Sequence, residues 1–330
     1  MLRPPLFCYK EKYMKTHKKG ENLKRVIQDI NSEIEYKYEQ KKRNRTQTVE
    51  NIIHGIFLLL GLITVGCVLL ITVYLVISGI PAIKEIGIAD FLFGKEWAST
   101  ASQPEYGILP FILTSIYGAA GAIVIGVPIG FMTAVYLSKM ASPKVKSAMQ
   151  TAVSLLAGIP SVVYGLVGML VLVPGIRKIF NVPDGASLLA AIIVLAIMIL
   201  PSIIKMSVTA LDAVPKEYED ASLALGATPV ETYFKVSVPA AKSGIAAAVV
   251  LGVGRAIGEA MAVMMVAGNV PNMPDSLFQS VRFLTTAVSS EMSYSSGLQR
   301  QALFSIALVL FLFIMLINVT LNFFLKREKE

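Results

Sequence analysis

The sequence predicts an all-α membrane protein with six transmembrane helices, and three observations carry that expectation. Hydrophobic residues make up 55% of the 330 and charged residues only 16%, a balance far from that of a soluble domain. Six apolar runs, at about 52–80, 108–137, 148–173, 186–204, 245–267 and 302–325, have the roughly 20 residues that a helix needs to cross a hydrocarbon core of about 30 Å. Basic residues are spread unevenly between the runs. With both termini cytoplasmic, 23 of the 30 Lys and Arg lie inside and 6 outside (Lys84, Lys95, Arg177, Lys178, Arg282 and Arg300), with Arg255 left within a span. The positive-inside rule therefore puts both termini in the cytoplasm.

Several function classes fall away at this level. The net charge of +8 does not point to nucleic acid, because thirteen of the basic residues precede the first span, where they serve retention on an anionic membrane face. Cys8 and Cys67, His17 and His54 form no CxxC or His-Cys cluster, so neither a disulfide nor a metal site is expected. No G-x-x-x-x-G-K-[ST] occurs, which removes P-loop binding of ATP by this chain. The first apolar run begins near residue 52 and is too long for a cleavable signal, so it is expected to act as a signal anchor. No cofactor and no catalytic dyad are predicted.

The chain divides into a basic extension at 1–50, a first span with its external segment at 51–106, a core at 107–325 containing a polar loop at 211–240, and a tail at 326–330. In the extension, Leu23, Val26, Ile27, Ile30 and Ile34 recur at helical spacing and predict an amphipathic helix. Trp97, in FLFGKEW, suits an anchor at the membrane interface. Pro110, Pro128 and the glycines of the second span allow kinks and close helix contact. In the third span Pro160 interrupts the helix, and Ser161 and Tyr164 offer hydroxyls to the freed backbone or to a substrate. Between Val173 and Ala186, PGIRKIFNVPDG is expected to form a short external turn.

The loop 211–240 shows helix-boundary chemistry. Pro215 suits a helix start, and Gly226 suits a helix end. Thr228-Pro229-Val230-Glu231 reads as a capping box opening a second short helix, which Val236, Val238 and Pro239 are expected to end. Two short helices joined at a glycine make a knob that fits a groove on a partner.

From these residues a resemblance follows. Asp220, Ala221, Ser222, Gly226, Val236, Val238 and Pro239 stand at the places of the EAA loop of ABC-transporter permeases: an acid, two small residues, three others, a glycine, nine others, then aliphatic-x-aliphatic-Pro. The chain departs with Asp for Glu and Ser for the second Ala, and Glu219 is a second candidate for the acid. GVGRAIGEAMAVMMVAGN, LLAGIPSVVYG, FLFGKEW and GILPF resemble the phosphate permeases of the PstC type. The related PstA type shares R-x-x-GE, but the MAV and GN that follow here favour PstC. The resemblance covers about 91–269 and implies a MetI-like importer bundle moving inorganic phosphate. It also implies a PstA-like second permease, two ABC ATPase subunits seated on the loop, and an external phosphate-binding protein. The extension at 1–50 lies outside it.

Arg255 and Glu259 are the charges most in need of explanation. Arg255 is thirteen residues past Lys242, about 20 Å along a helix and so near mid-bilayer, where a charge costs at least about 2.5–3.5 kcal/mol. Spaced four apart, the two are expected on one face as a mutually neutralising pair. Phosphate would then compete for the guanidinium fork, unless the pair only locks two helices together. Gly254 and Gly258 are expected to make a GxxxG contact. Sulfate and molybdate permeases, and an ATP-independent carrier or channel, are the rival readings.

Overall fold

The computed structural model describes residues 23–327, and the side chains of 23–31, 39–46, 48 and 321–327 are left aside. Contacts divide the chain into Met1–Ile71 and Thr72–Glu330. In the first unit the described backbone is helical throughout, as part of α1 (Leu23–Ile86). The side chains of 52–71 are exposed, a pattern that suits lipid and not water for so apolar a run. Of the predicted amphipathic face only Ile34 has a described side chain, and it is exposed; Cys8 and His17 lie outside the described residues.

The second unit contains the rest of α1, α2 (Ile88–Phe93) and a two-stranded antiparallel hairpin, β1 (Trp97–Ala98) and β2 (Glu105–Tyr106). Then come α3 (Leu109–Val135), α4 (Pro143–Gly158), α5 (Ser161–Val167), α6 (Val173–Phe180) and α7 (Leu188–Asp212). The loop helices are α8 (Lys216–Ala224), α9 (Pro229–Thr232) and α10 (Val238–Ala240); α11 (Lys242–Gly258), α12 (Met261–Val266), α13 (Leu284–Glu291) and α14 (Gly297–Arg327) follow. Among the described residues five helices are long and apolar enough to span a membrane, and a sixth span is made if α11 is taken with the segment Pro229–Ala240, from which it is bent by 72°. The expected multi-pass all-α bundle is what is observed.

The centre of the second unit is α7, whose Ala190, Leu195, Met198, Ile199 and Ile203 are buried. In lipid there is little hydrophobic drive between helices, so close packing has to hold them. The sequence supplies it with glycines on α3: a Cβ on Gly121, Gly126 or Gly130 would come within 2.7, 2.7 and 2.9 Å of Ile192, Ile199 and Ile203 respectively. The close helix contact expected from these glycines is present.

Four expectations of the sequence need correction. The third span does not run from 148 to 173: Gly158 ends α4, Ile159 and Pro160 are extended, and the spanning stretch is Ser161–Phe180. Proline removes a donor and pushes its predecessor out of the helical region, and helix then continues through the supposed external turn as far as Phe180. Pro110 lies in the first turn of α3, where it costs no hydrogen bond and makes no kink, while Pro128 lies inside that helix. Trp97 is no interface anchor: it is 6% exposed, packed on Tyr106 and Phe111. The fifth apolar run is not one helix but breaks at Glu259 between α11 and α12.

Candidate functional site

Arg255 is the half-buried charge near the end of α11. Its placement follows from a close approach one turn earlier, where a Cβ on Gly252 would sit 3.0 Å from Ile203 on α7. This brings Arg255 beside Ser202, to whose Oγ its Nη1 donates at 3.4 Å, a loose bond. Ser202 follows Pro201, which lies inside α7 and deprives a carbonyl one turn back of its donor. On α5 the Tyr164 hydroxyl donates to the Leu156 carbonyl at 2.7 Å across the α4–α5 break. Arg255 thus sits one turn before the break between α11 and α12, and broken helices of this kind recur where transporters hold ions near the midplane.

The expected Arg255–Glu259 pair is not formed. Glu259 has left the helix (φ −74°, ψ 129°), so the i,i+4 geometry on which the expectation rested does not exist. Its Oε1 accepts from the Ala262 amide at 3.0 Å, capping α12, and its carbonyl accepts from Thr285 Oγ1 at 2.8 Å. Among the described residues the GxxxG contact is likewise not made, since a Cβ on Gly254 or Gly258 would meet nothing within 4 Å. Ser202 is the member of the site that sequence reading missed; a serine next to an intrahelical proline was its only signal.

The loop is built largely as its residues suggest. Pro215 caps α8, which starts one residue later than expected, and the helix gives way at Leu225 to Gly226 with φ +87°. Thr228 Oγ1 accepts from the Glu231 amide at 3.3 Å and Glu231 Oε2 accepts from the Thr228 amide at 3.1 Å, so the capping box forms. Val236, Val238 and Pro239 do not end the second helix as expected. The turn widens to π geometry over Tyr233–Ser237, and Pro239, in the first turn of α10, needs no donor there; the break comes at Ala241.

Between the two candidate acids, Glu219 is the engaged one: its Oε1 meets Lys139 Nζ at 2.5 Å and accepts from Ser237 Oγ at 2.8 Å. Asp220 and Ala221 are exposed, while Ser222 Oγ lies 2.9 Å from Thr232 Oγ1, joining α8 to α9. Val238 packs on the cluster of Val135, Leu137, Leu211 and Val214. Tyr218, Leu223, Leu225, Val230 and Phe234 stay exposed around Gly226, Leu225 by 90%. The loop is therefore fixed from beneath and apolar on its free face.

A second polar centre, unseen in the sequence, lies where the hairpin meets α13 and α14. Glu291 accepts from Arg282 Nη1 at 2.5 Å, Gln299 Nε2 at 3.1 Å, Ser99 Oγ at 3.2 Å and Trp97 Nε1 at 3.3 Å. Arg282 Nε donates to the Asn269 carbonyl at 2.9 Å. Nearby, burial and then the charge of Glu85 raise the Tyr106 phenol above its ordinary pKa. Among the described residues no group of three or more His, Cys, Asp or Glu is placed to hold a metal ion.

An all-α, multi-pass bundle with an apolar-faced loop and a half-buried cation inside a span describes a membrane transport component. Residues 126–328 match the family described as "Binding-protein-dependent transport system inner membrane component", and the chain belongs to that family of ABC-importer permeases. It is 40% identical over 266 residues to the "Probable ABC transporter permease protein YqgH" of Bacillus subtilis (strain 168), covering 78% of this chain and 86% of that one. It is 34% identical over 276 residues to the "Phosphate transport system permease protein PstC" of Haemophilus influenzae, with the same two coverages. A chain of the MetNI methionine ABC transporter in an inward-facing conformation shares the fold, with TM-score 0.50 and 21% identity over 67% of this chain and 94% of that one. This protein is thus an inner-membrane permease subunit of a multi-subunit importer, a transport component through which a small solute crosses. The ATP-independent carrier is thereby set aside.

Proposed function

We propose that the chain is a PstC-type permease that moves inorganic phosphate into the cell. Arg255 carries the reading: a half-buried guanidinium inside a span, whose one hydrogen bond among the described residues is a loose one to a serine. Its planar fork matches a tetrahedral oxyanion bidentately, and several relatives at 31–34% identity are named as phosphate permeases. Glu259, at the adjoining break, is the second residue of the translocation site on this reading.

On this reading a PstA-like second permease completes the pathway, an external phosphate-binding protein delivers the substrate, and two ATPase subunits receive the loop 211–240. Glu219, Asp220, Ala221, Ser222, Gly226, Val236, Val238 and Pro239 form the coupling element, with both termini cytoplasmic. Residues 1–50 are an extension outside the transport core of 107–325, followed by a tail at 326–330. Reconstitution with these partners in proteoliposomes tests the proposal. ATP-dependent accumulation of labelled phosphate, unaffected by excess sulfate or molybdate, is expected; accumulation of sulfate or molybdate in its place overturns it.

A further inference from the structure

The arrangement of Arg255 and Glu259 bears on which form of an oxyanion the site accepts. Two opposite charges four residues apart, both half-buried, one within the spanning helix and the other at the break that ends it, would lower their cost by pairing. They do not pair. Arg255 spends one donor on Ser202 at 3.4 Å, leaving the others of its fork without a partner among the described residues. Glu259 spends Oε1 on the Ala262 amide, and Oε2 has no hydrogen-bond donor among the described residues. The extended backbone at Glu259, fixed by Thr285 Oγ1 on its carbonyl and by the cap on α12, holds the acid away from the helical position that would close the pair. The break thus presents an unsaturated cationic donor and an unsaturated acceptor-only carboxylate within one short stretch of chain.

A ligand satisfies both only if it carries negative oxygens and a hydroxyl. Singly and doubly charged phosphate each keep at least one P–OH near neutral pH, and so does arsenate; sulfate has no proton to give, and its oxygens would face those of Glu259. We infer that Glu259 is the specificity-determining residue, accepting a hydrogen bond from the hydroxyl of a protonated tetrahedral oxyanion while Arg255 holds its charge. The inference rests on the phosphate reading and deepens it by naming the protonated anion as the substrate class. Sites built to bond a substrate hydroxyl reject the analogue lacking it by large factors, because the buried acceptor is then stranded.

The test uses the assembled permease–ATPase complex without an external binding protein, whose own selectivity would mask the effect. Equilibrium binding of labelled inorganic phosphate is challenged with arsenate, sulfate and monofluorophosphate, the last being tetrahedral and doubly charged but without P–OH near neutral pH. Arsenate should displace phosphate, and sulfate and monofluorophosphate should be weaker by about 100-fold or more. Glu259→Gln, whose amide also donates, should bring sulfate to within about tenfold of phosphate, and Glu259→Asp should keep the discrimination. Monofluorophosphate competing as well as arsenate in the unmodified complex would overturn the inference without any variant having to fold, as would unchanged discrimination in an assembled Glu259→Gln complex. In either case loss of binding in Arg255→Lys leaves the phosphate reading standing. A complex that binds sulfate, or no anion, in place of phosphate overturns the reading and the inference together.

Discussion

Glu219 and Lys139 meet at 2.5 Å with side chains only 18% and 10% exposed, joining the first helix of the loop to the π-turn that closes the second span (Tyr136–Met140). The same carboxylate takes Ser237 Oγ, and Lys139 also donates to the Leu211 carbonyl. Glu219 is thereby tied to Ser237 within the loop and, through Lys139, to the end of the second span and the end of α7, the contacts through which the proposed coupling would act. Lys139→Met leaves a partly buried acid without its cation and should cost roughly 1–3 kcal/mol. The expected result is faster amide exchange over Lys216–Ala224 and less solute moved per ATP hydrolysed; unchanged values for both would show that the pair transmits nothing.

Gly226 lies at φ +87° with open space around it, so the backbone conformation, and no steric contact, is what favours glycine. A β-branched residue there is strained by about 1–2 kcal/mol, whereas Asn tolerates the left-handed region. Gly226→Val should therefore uncouple ATPase activity from uptake and Gly226→Asn should largely preserve it. Equal behaviour of the two variants in coupled assays would argue against a role for the conformation.

Gly126 admits Ile199 at 2.7 Å from where its Cβ would stand, with the Ala196 carbonyl at 3.2 Å. Gly126→Val should part α3 from α7 and cost about 1–3 kcal/mol, read as a fall in the thermal unfolding midpoint in detergent. Gly158→Ala, at a site with nothing within 4 Å, serves as the comparison and should leave the midpoint nearly unchanged.

Glu291 gathers donors from the hairpin, from α14 and from Arg282. Glu291→Ala strands the guanidinium and the Trp97 indole N–H, and should destabilise by roughly 3 kcal/mol. Arg282→Gln should cost less, because the carboxylate keeps its neutral donors. The order of the two unfolding midpoints, Glu291→Ala below Arg282→Gln, is the measurable outcome.

Much of this architecture is legible in the residues because it rests on local chemistry. The first, second, fourth and sixth spans follow from run length, the capping box at Thr228 and Glu231 from side-chain reach, and the end of α8 from the one residue type that adopts φ +87° without strain. What escapes is set by packing at a distance. Nothing local says that the helix ends at Gly258 and turns extended at Glu259, since that conformation depends on Thr285, twenty-six residues from Glu259. Trp97 looks like an interface residue until Glu291, far along the chain, supplies its partner. Ser202 becomes part of the site only because Gly252 lets α11 lie against Ile203. Arg255 stands out in the sequence as a charge in a span, but its freedom from Glu259 does not.

Arg255 is where the account is most exposed to test. In proteoliposomes holding the full importer, phosphate uptake should be normalised to assembled complex and compared for the unmodified protein, Arg255→Lys and Arg255→Ala. An ammonium keeps the charge but not the planar fork, so Arg255→Lys should reduce uptake at least about tenfold, with Arg255→Ala lower still. Uptake near the unmodified level in an assembled Arg255→Lys complex would contradict the claim that the guanidinium is the contact by which the anion passes.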